Sequence, residues 1–181
     1  MVCPNAKVGD TFVVGGVTYT KRDYAGLVSL VGNAATEAEL ATSCISGVTW
    51  LQDLFYSYSS GTKVADPSTF NPDLSTWDTS AVTGMQWMAK NLPAFNPDIS
   101  KWDTQNVLSM AVGVYPDRSR PNPVLLDPLS LALRSLVRSP QDAFFNCFAF
   151  NQNIGDWNVA KVEFMTQMFE GARSFNQDLS R

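Results

Sequence analysis

The most regular feature of this chain is a pattern of apolar and polar residues that recurs at a fixed spacing. Each copy begins with Phe-Asn and continues through an Asp or Asn to a Leu or Ile. Copies begin at Phe70, Phe95, Phe150 and Phe175, so that two spacings are 25 residues and the middle one is 55. Self-similarity of this kind is typical of repeat proteins, whose units stack on one another. The sequence therefore predicts stacked 25-residue units, interrupted once by 30 extra residues.

Within each unit the apolar positions change from an extended to a helical spacing. Turn-forming and alternating residues after the Phe predict a short strand around Leu74 to Trp77. Beyond the Trp, apolar residues recur at steps of three and four, which is the spacing of one helical stripe. In the copy that begins at Phe70 they are Met85, Met88, Ala89, Leu92 and Phe95. We therefore predict an α/β repeat, a right-handed solenoid of short strand plus short helix units that bury their Phe, Trp and Met side chains.

Residues 1–35 follow a different pattern, which predicts an N-terminal cap made of a hairpin and a helix. Two alternating runs flank Gly15-Gly16, a strong signal for a hairpin turn. Asp23 is placed to cap a helix that ends near Gly32. Repeats one to three are then expected over residues 36–110, the first of them degenerate.

The 30 extra residues fall within residues 111–142, a stretch rich in Pro and Arg. Two interpretations stay open: a protruding element that binds a partner, or a loop without function, including translated sequence absent from the mature product. The clean return of the repeat after this segment favours the second. The repeats continue over residues 143–181, and we expect the last one, which stops at Arg181 before its Trp, to be truncated.

Composition narrows the range of functions. The chain has no His, the commonest general base at neutral pH and the commonest zinc ligand. Its net charge of -4 and its lack of basic runs argue against a nucleic-acid partner. No apolar stretch reaches the roughly 18 residues that a membrane span needs, and Met1 to Asp10 lacks the pattern of a secretory signal. Every Asp of the repeats recurs in register, whereas a catalytic pair should be singular. We predict neither enzymatic activity nor a cofactor.

The three cysteines, Cys3, Cys44 and Cys147, are far apart and contain no Cys-x-x-Cys pair. From this spacing we expect neither a metal knuckle nor a disulfide framework. Cys44 and Cys147 are interpreted as small buried apolar residues, and Cys3 as a free thiol near the chain end.

Carboxylates recur in two columns of the repeat. The first column contains Asp73, Asp98 and Asp178, and the second contains Asp78 and Asp103. A calcium ladder along the first column is one hypothesis, because hard cations prefer several carboxylate oxygens. The remaining copy, however, carries Asn153 and Asn158 at these positions. Since Asn keeps the hydrogen bonds of a turn but loses the charge, the pattern favours Asx turns and no metal.

The unit Phe-Asn-x-Asp-Ile/Leu-Ser-x-Trp-Asp-Thr-x-x-Val-x-x-Met-x-x-Met-Phe resembles the BspA-like repeat, a surface-protein repeat related to leucine-rich repeats. The resemblance covers residues 36–110 and 143–181. It implies a leucine-rich-repeat-like solenoid at the cell surface, with adhesion or protein binding as its role. It transfers no catalytic residue. Apart from this resemblance, the sequence does not indicate a compartment.

We therefore predict a non-catalytic repeat scaffold for protein recognition or adhesion. Polar positions that vary between copies on a fixed frame are the candidates for its binding surface. They are Thr76, Thr79, Ser80, Lys101, Thr104, Gln105, Asp156 and Lys161. Three alternatives remain: a purely structural surface protein, a calcium-dependent adhesin, or a repeat segment of a larger enzyme.

Overall fold

The computed structural model describes residues 1–32, 37–57, 61–110, 143–163, 165 and 167–180. Regular elements concentrate in its first third. In chain order they are β1 (Thr11–Val14), β2 (Val17–Lys21), α1 (Tyr24–Gly32), α2 (Glu37–Ala41), β3 (Ser43–Cys44), β4 (Tyr56–Ser57) and β5 (Gly61–Thr62). Strands β1, β2 and β3 form one sheet in that order, antiparallel between the first two and parallel between the last two. Strands β4 and β5 form a separate antiparallel pair.

The hairpin and the helix predicted for the cap are both confirmed. Gly15 and Gly16 have φ angles of 59° and 82°, the two left-handed residues that a two-residue type I′ turn requires. Asp23 Oδ1 accepts a hydrogen bond of 2.8 Å from the N–H of Gly26, which caps the start of α1. Leu27, on the inner side of α1, is fully buried and joins the core of the repeats. The cap thus lies directly on the first unit.

The repeat units contact one another along the backbone. We number them by residues 36–69, 70–94, 95–149, 150–174 and, for a fifth that is only begun, from 175 onwards. Parallel bridges join Trp50 to Gly84 and Gly84 to Ser109, which occupy the same position of units one, two and three. Backbone hydrogen bonds continue this pairing from Asn146 of unit three to Glu170 of unit four. Successive copies are therefore neighbours in space as well as in sequence.

The strand and the helix predicted for each unit do not form in the described residues of units two to four, so both predictions are wrong. Residues 70–110 form turns joined by isolated bridges, with neither an α-helix nor a strand around Leu74 to Trp77. Helical backbone needs φ near -63° at every residue, yet left-handed residues recur at two positions of the unit. The first position holds Asp53, Trp87 and Gln167, and the second holds Asn91, Asn146 and Gly171. These residues turn the chain twice per unit and interrupt each helical stripe before it completes a helix.

The apolar columns nevertheless form the core. Met85, Leu92 and Phe95 of the second and third units are fully buried. The Phe side chains run through the stack in contact with one another, with ring centroids 6.5 Å apart for Phe70 and Phe95 and 5.8 Å apart for Phe150 and Phe175. The spacing of apolar residues therefore identified the buried face of units two and three, although the backbone that presents it consists of turns. In unit four the prediction is wrong for Met165, which is 46% exposed.

The insertion at residues 111–142 lies outside the described residues, and so do both interpretations of its role. The backbone hydrogen bond between the two residues that flank it can be compared with the matching bond of an uninterrupted unit. The N–H of Ala143 donates to the carbonyl of Met110 over 3.2 Å, and Met88 donates to Met85 over the same distance in unit two. The turn of unit three is therefore closed at its base as if the extra residues were not there.

Candidate binding surface

Indole groups of the stack form hydrogen bonds to neighbouring units. Trp77, Trp102 and Trp157 each donate their Nε1–H to a backbone carbonyl of the preceding unit, over 3.0, 3.1 and 3.2 Å. The acceptors are Leu40, Leu74 and Ile99. The rings of Trp77 and Trp102 are also parallel within 3°, with centroids 6.1 Å apart. This column therefore holds the units in register and leaves little of the Trp side chains for a ligand.

A second column is built from the Asn that follows each Phe. The N–H of Asn96 donates to Oδ1 of Asn71 over 2.8 Å, and Asn151 and Asn176 repeat the contact over 2.9 and 3.0 Å. At the start of the column, Glu37 of α2 accepts the N–H of Asn71 over 2.8 Å. Glu37 stands at the position of this Asn in unit one, so unit one joins the ladder with a carboxylate in place of the amide.

The carboxylate columns form turns. Asp73, Asp98 and Asp178 each accept the backbone N–H two residues ahead, at 2.9, 3.0 and 2.9 Å. Asn153 makes the same contact at 3.1 Å, so the amide replaces the carboxylate without a change of geometry. Among the described residues, no group of three His, Cys, Asp or Glu side chains is placed to hold a metal ion. Hydrogen bonds from the Ser100 side chain and backbone also hold the pKa of Asp98 below its usual range.

For two of the eight candidate binding residues, the prediction that they lie on the surface is wrong. Thr79 and Thr104 are only 1% exposed. Their hydroxyls donate to the carbonyls of Asp103 and Asn158 in the next unit, over 3.0 and 3.1 Å. A buried hydroxyl needs such a partner, and here the partner is supplied by the stack. These threonines therefore stabilise the contact between units and are not available to a partner protein.

The other six candidates lie at or near the surface. Lys101, Gln105, Asp156 and Lys161 are exposed, whereas Thr76 and Ser80 are half-buried. Thr76, Lys101 and Asp156 share one repeat position, directly before the buried Trp. We call these six residues the variable strip. Because neighbouring positions are occupied by contacts between units, the variable strip is where successive copies differ while the frame stays the same.

Some members of the variable strip already have hydrogen-bond partners. Lys161 Nζ donates to Asn106 Oδ1 over 2.9 Å, which joins unit four to unit three. Gln105 Nε2 donates to Asp103 Oδ2 over 2.8 Å, and Thr76 donates to the carbonyl of Ala41 over 3.1 Å. These contacts orient the side chains without burying Lys161 or Gln105. The strip is therefore a partly ordered polar surface of mixed charge.

The cysteine prediction is wrong for two of the three residues. Cys3 and Cys44 form a disulfide that joins the chain start to β3. Cys44 occupies, in unit one, the position that Asp78 holds in unit two. No pattern of spacing pointed to this bond, because only the fold brings two residues 41 positions apart together. Cys147 is buried and free, as expected, and burial raises the pKa of its thiol to about 12.

Polar side chains surround the disulfide at the junction of cap and repeats. Ser46 Oγ accepts the N–H of Cys3 over 2.9 Å and donates to Asp78 Oδ2 over 2.5 Å. Lys21, which is 7% exposed, donates its Nζ to the carbonyl of Ser46. Burial favours the neutral form of Asp78, but hydrogen bonds from Ser46 and Ser80 outweigh it and hold the pKa of this carboxyl below its usual range. Burial lowers the pKa of Lys21, because it disfavours the charged form of the amine.

A further polar group lies where α1 meets unit one. Tyr24 donates to the carbonyl of Gln52 over 2.5 Å, and Gln52 Nε2 donates to Asp53 Oδ2 over 3.0 Å. Burial raises the pKa of Asp53, and burial together with the charge of Asp53 raises the pKa of Tyr24 to about 12. Asp53 Oδ1 is buried and has no hydrogen-bond partner. The shifted pKa of this carboxyl therefore follows from its burial at the junction between α1 and unit one.

Basic and aromatic side chains alternate on the side of the stack that β4 and β5 flank. Lys90 lies between the rings of Tyr56 and Phe145, with its Nζ 5.1 and 5.2 Å from their centroids. Arg173 covers Phe148 in the same way at 4.6 Å. Tyr56, Lys90 and Phe145 occupy one position in successive units, so this too is a contact between units. This contact has no signal in the sequence, because the three residue types differ.

Comparison with known proteins identifies one family. The family described as "Mycoplasma protein of unknown function, DUF285" matches residues 32–115 and 133–181. No curated protein and no solved structure matches the chain. The matched residues include the stacked units and leave out the hairpin and most of α1. Within the described part of the chain, no helix has both the length and the apolarity to cross a bilayer.

Proposed function

The chain belongs to the DUF285 family of Mycoplasma proteins of unknown function, and from this premise we propose that it is a non-catalytic repeat scaffold that recognises a protein partner through its variable strip. The proposed architecture is a solenoid of the BspA-like, leucine-rich-repeat-related kind. Stacked units of this type create extended surfaces on which residues of successive copies lie side by side. The role would be adhesion or protein binding at a surface.

One observation supports this proposal: the polar side chains that recur from unit to unit already make hydrogen bonds within the stack. The Trp, Asn, Thr and Asp columns each bond to a turn or to the neighbouring unit. The exposed positions between these columns differ from copy to copy, as Lys101 and Asp156 do at one position. A constant frame with a variable polar surface is suited to recognition and provides no catalytic group.

The disulfide supports a location outside the reducing cytosol. Disulfides persist in oxidising environments and are rare in cytosolic proteins. The Cys3–Cys44 bond is shielded, with Cys3 7% and Cys44 0% exposed, which is typical of a structural bond. A surface or extracellular scaffold therefore fits this bond better than a cytosolic one does.

The proposal is tested by binding with matched variants. The strip variant combines K101A, Q105A, D156A and K161A, and the control variant combines K7A, E39A, R173A and S174A, also exposed and with the same change in net charge. Surface-biotinylated cell extracts are passed over each immobilised protein. The proposal requires a protein that the wild type and the control variant retain and the strip variant releases. If no protein shows this difference, the purely structural alternative replaces the proposal.

The calcium-dependent adhesin is tested separately. Calcium that binds the folded state and not the unfolded chain raises the melting temperature once its concentration exceeds the dissociation constant. Because Asp73, Asp98 and Asp178 each bond to their own turn, we expect millimolar calcium to leave the melting temperature unchanged. A rise that the D98N variant abolishes would instead favour the calcium ladder.

A further inference from the structure

Among the residues that the structure describes, no strand pairs with the outer edge of β1. In the sheet β1-β2-β3, only the inner side of β1 is paired, because β2 separates it from β3. The register pairs Phe12 with Tyr19 and Val14 with Val17, next to the two-residue turn. The N–H of Lys21 donates to the carbonyl of Asp10 over 2.8 Å, which fixes the alternation along the strand. In an antiparallel pair, residues between hydrogen-bonded pairs direct their N–H and C=O groups outward. Thr11 and Val13 are these residues.

This edge lacks two of the features that often protect a free strand, charged side chains and proline. Natural edges carry Lys, Pro, a bulge or a cover, because unpaired backbone groups are a template for another strand. The ten residues from Thr11 to Thr20 contain neither a charged residue nor a proline. Val13 is 67% exposed, and Val14 and Val17 are 46% and 43% exposed. The same side-chain type is buried where it belongs to the repeats, as at Val82 and Val107.

We propose that the edge of β1 pairs with β1 of a second copy of this chain, antiparallel and with Phe12 on the two-fold axis. The edge is self-complementary in this register. Thr11 of one copy faces Val13 of the other, so that their outward N–H and C=O groups form two symmetric pairs of backbone hydrogen bonds. A two-fold interface of this kind uses one patch twice and closes on itself.

The side chains fit the same arrangement. The Phe12 rings of the two copies meet across the axis, each already lying 6.1 Å from the Tyr19 ring of its own hairpin. On the other face, Val13 packs beside Thr11 of the second copy. Because no like charges lie opposite each other between Thr11 and Thr20, the acidic character of the whole chain does not oppose the pairing locally. The product is one six-stranded sheet, β3-β2-β1-β1-β2-β3, with a repeat stack at each end.

The consequence for recognition is bivalency. Two stacks held by one sheet present two copies of the variable strip, and a second binding event then becomes intramolecular. This last step rests on the proposed function, whereas the dimer does not. Dimerisation can therefore fail while partner binding holds, and the reverse.

The test is sedimentation equilibrium of the full chain from micromolar to millimolar concentration. V13P removes the outward N–H of Val13 without removing a bond of the β1–β2 pair. T18P is the matched control, since Thr18 pairs with Val13 but lies on β2. We expect the wild type and T18P to dimerise, and V13P to weaken the dimer at least ~10-fold. A wild type that stays monomeric at millimolar concentration, or a V13P dimer as tight as the wild type, overturns the proposal.

The register is tested by cross-linking. F12C places two thiols on the axis, within the Cα separation of a non-hydrogen-bonded pair that a disulfide can bridge. V14C is the control, because Val14 faces Asp10 of the second copy in this register. Under oxidised glutathione, F12C should form a disulfide-linked dimer at least ~10-fold faster than V14C. Equal rates, or a faster V14C, would exclude the proposed register. Melting curves confirm that each variant is folded.

Discussion

The cap and the repeat stack of this protein reach stability by different means. The cap, from the chain start to the end of α1, has regular strands and a helix, yet many of its apolar side chains face solvent, with Val2 69% and Val8 59% exposed. The described residues of units two and three have almost no regular secondary structure, yet most of their Phe, Trp and Met side chains are buried. The cap relies on a disulfide, and the stack relies on contacts that recur from unit to unit.

This difference shows that regular helices and strands are not required for a buried core. What a core requires is that apolar surface leaves water and that backbone polar groups find partners. In the stack, the N–H groups of Leu51, Asp53 and Phe55 meet that requirement through the carbonyls of unit two. The cap meets it through its sheet and helix but covers less apolar surface, and a covalent bond compensates.

The largest effect is expected in the middle of the stack. Trp102 is 4% exposed, stacks on Trp77 and donates to the carbonyl of Leu74. Trp102→Ala removes the ring and its hydrogen bond to the carbonyl of Leu74, so it should lower the free energy of unfolding by about 3–5 kcal/mol. Trp102→Phe keeps an aromatic ring and should cost less. Urea unfolding followed by circular dichroism measures both. A loss below about 1 kcal/mol for the alanine variant would mean that the stack does not depend on this column.

The next effect is expected in the cap. Removing the Cys3–Cys44 bond with C3A/C44A frees the chain start from β3 and should lower the free energy of unfolding by about 2–4 kcal/mol. A reducing agent should lower the melting temperature of the wild type towards that of C3A/C44A and leave the variant unchanged. Thiol titration in denaturant should find one free thiol, that of Cys147. Three free thiols would contradict the bond.

A smaller effect is expected at Gly84 of unit two, which the Trp50 side chain of unit one contacts. A Cβ at Gly84 would lie 2.4 Å from Trp50 Cζ3 and 2.8 Å from Gln86 Oε1. Gly84→Ala should therefore destabilise the protein by about 1–3 kcal/mol through overpacking. In a W50A background the same substitution should cost less, because the ring is gone and only the flexible end of the Gln86 side chain remains in the way. If the two effects simply add, Trp50 and Gly84 are not coupled in solution.

The smallest effect is a pH dependence at the junction of the two regions. Because the folded state holds the pKa of Asp78 below its unfolded value of about 3.9, the carboxylate contributes stability that is present above pH ~4 and lost as the pH falls through the folded pKa. D78N should make the decline of stability between about pH 5 and pH 2 shallower. S46A, which removes one hydrogen bond to the carboxylate, should do so in part. Thermal melts across this range measure the slopes, and an unchanged slope in D78N would assign the acid sensitivity to other groups.

The sequence located the buried residues of the repeats better than it located their backbone. Met85, Met88, Leu92 and Phe95 were expected in the core and are fully buried. Their helical spacing did not become a helix, because residues such as Trp87, at a φ of 53°, adopt left-handed backbone. Trp is a poor signal for that conformation, which Gly and Asn signal far better. Periodicity reports which side chains share a face, and several backbone paths can satisfy it.

The candidate surface was predicted in part, for a similar reason. Lys101 and Asp156 were expected outside and are exposed, whereas Thr79 and Thr104 were expected outside and are buried. The sequence offered one signal for the threonines: Thr recurs at that position, whereas the exposed positions vary. Glu37 also had a signal, since it lies where unit one would carry the Asn of the ladder. For the close approach of the Trp50 ring to Gly84, the sequence offered none.

By itself, the sequence determined the period of the units, the residues that they bury, the hairpin and helix of the cap, and the turns made by Asp and Asn. Each of these depends on spacing or on local backbone preference, which a single chain displays. The tertiary structure alone decided the Cys3–Cys44 bond, the closed turn between Met110 and Ala143, and the open edge of β1. Each of these depends on which distant residues meet, and a pattern of neighbours along the chain does not specify that.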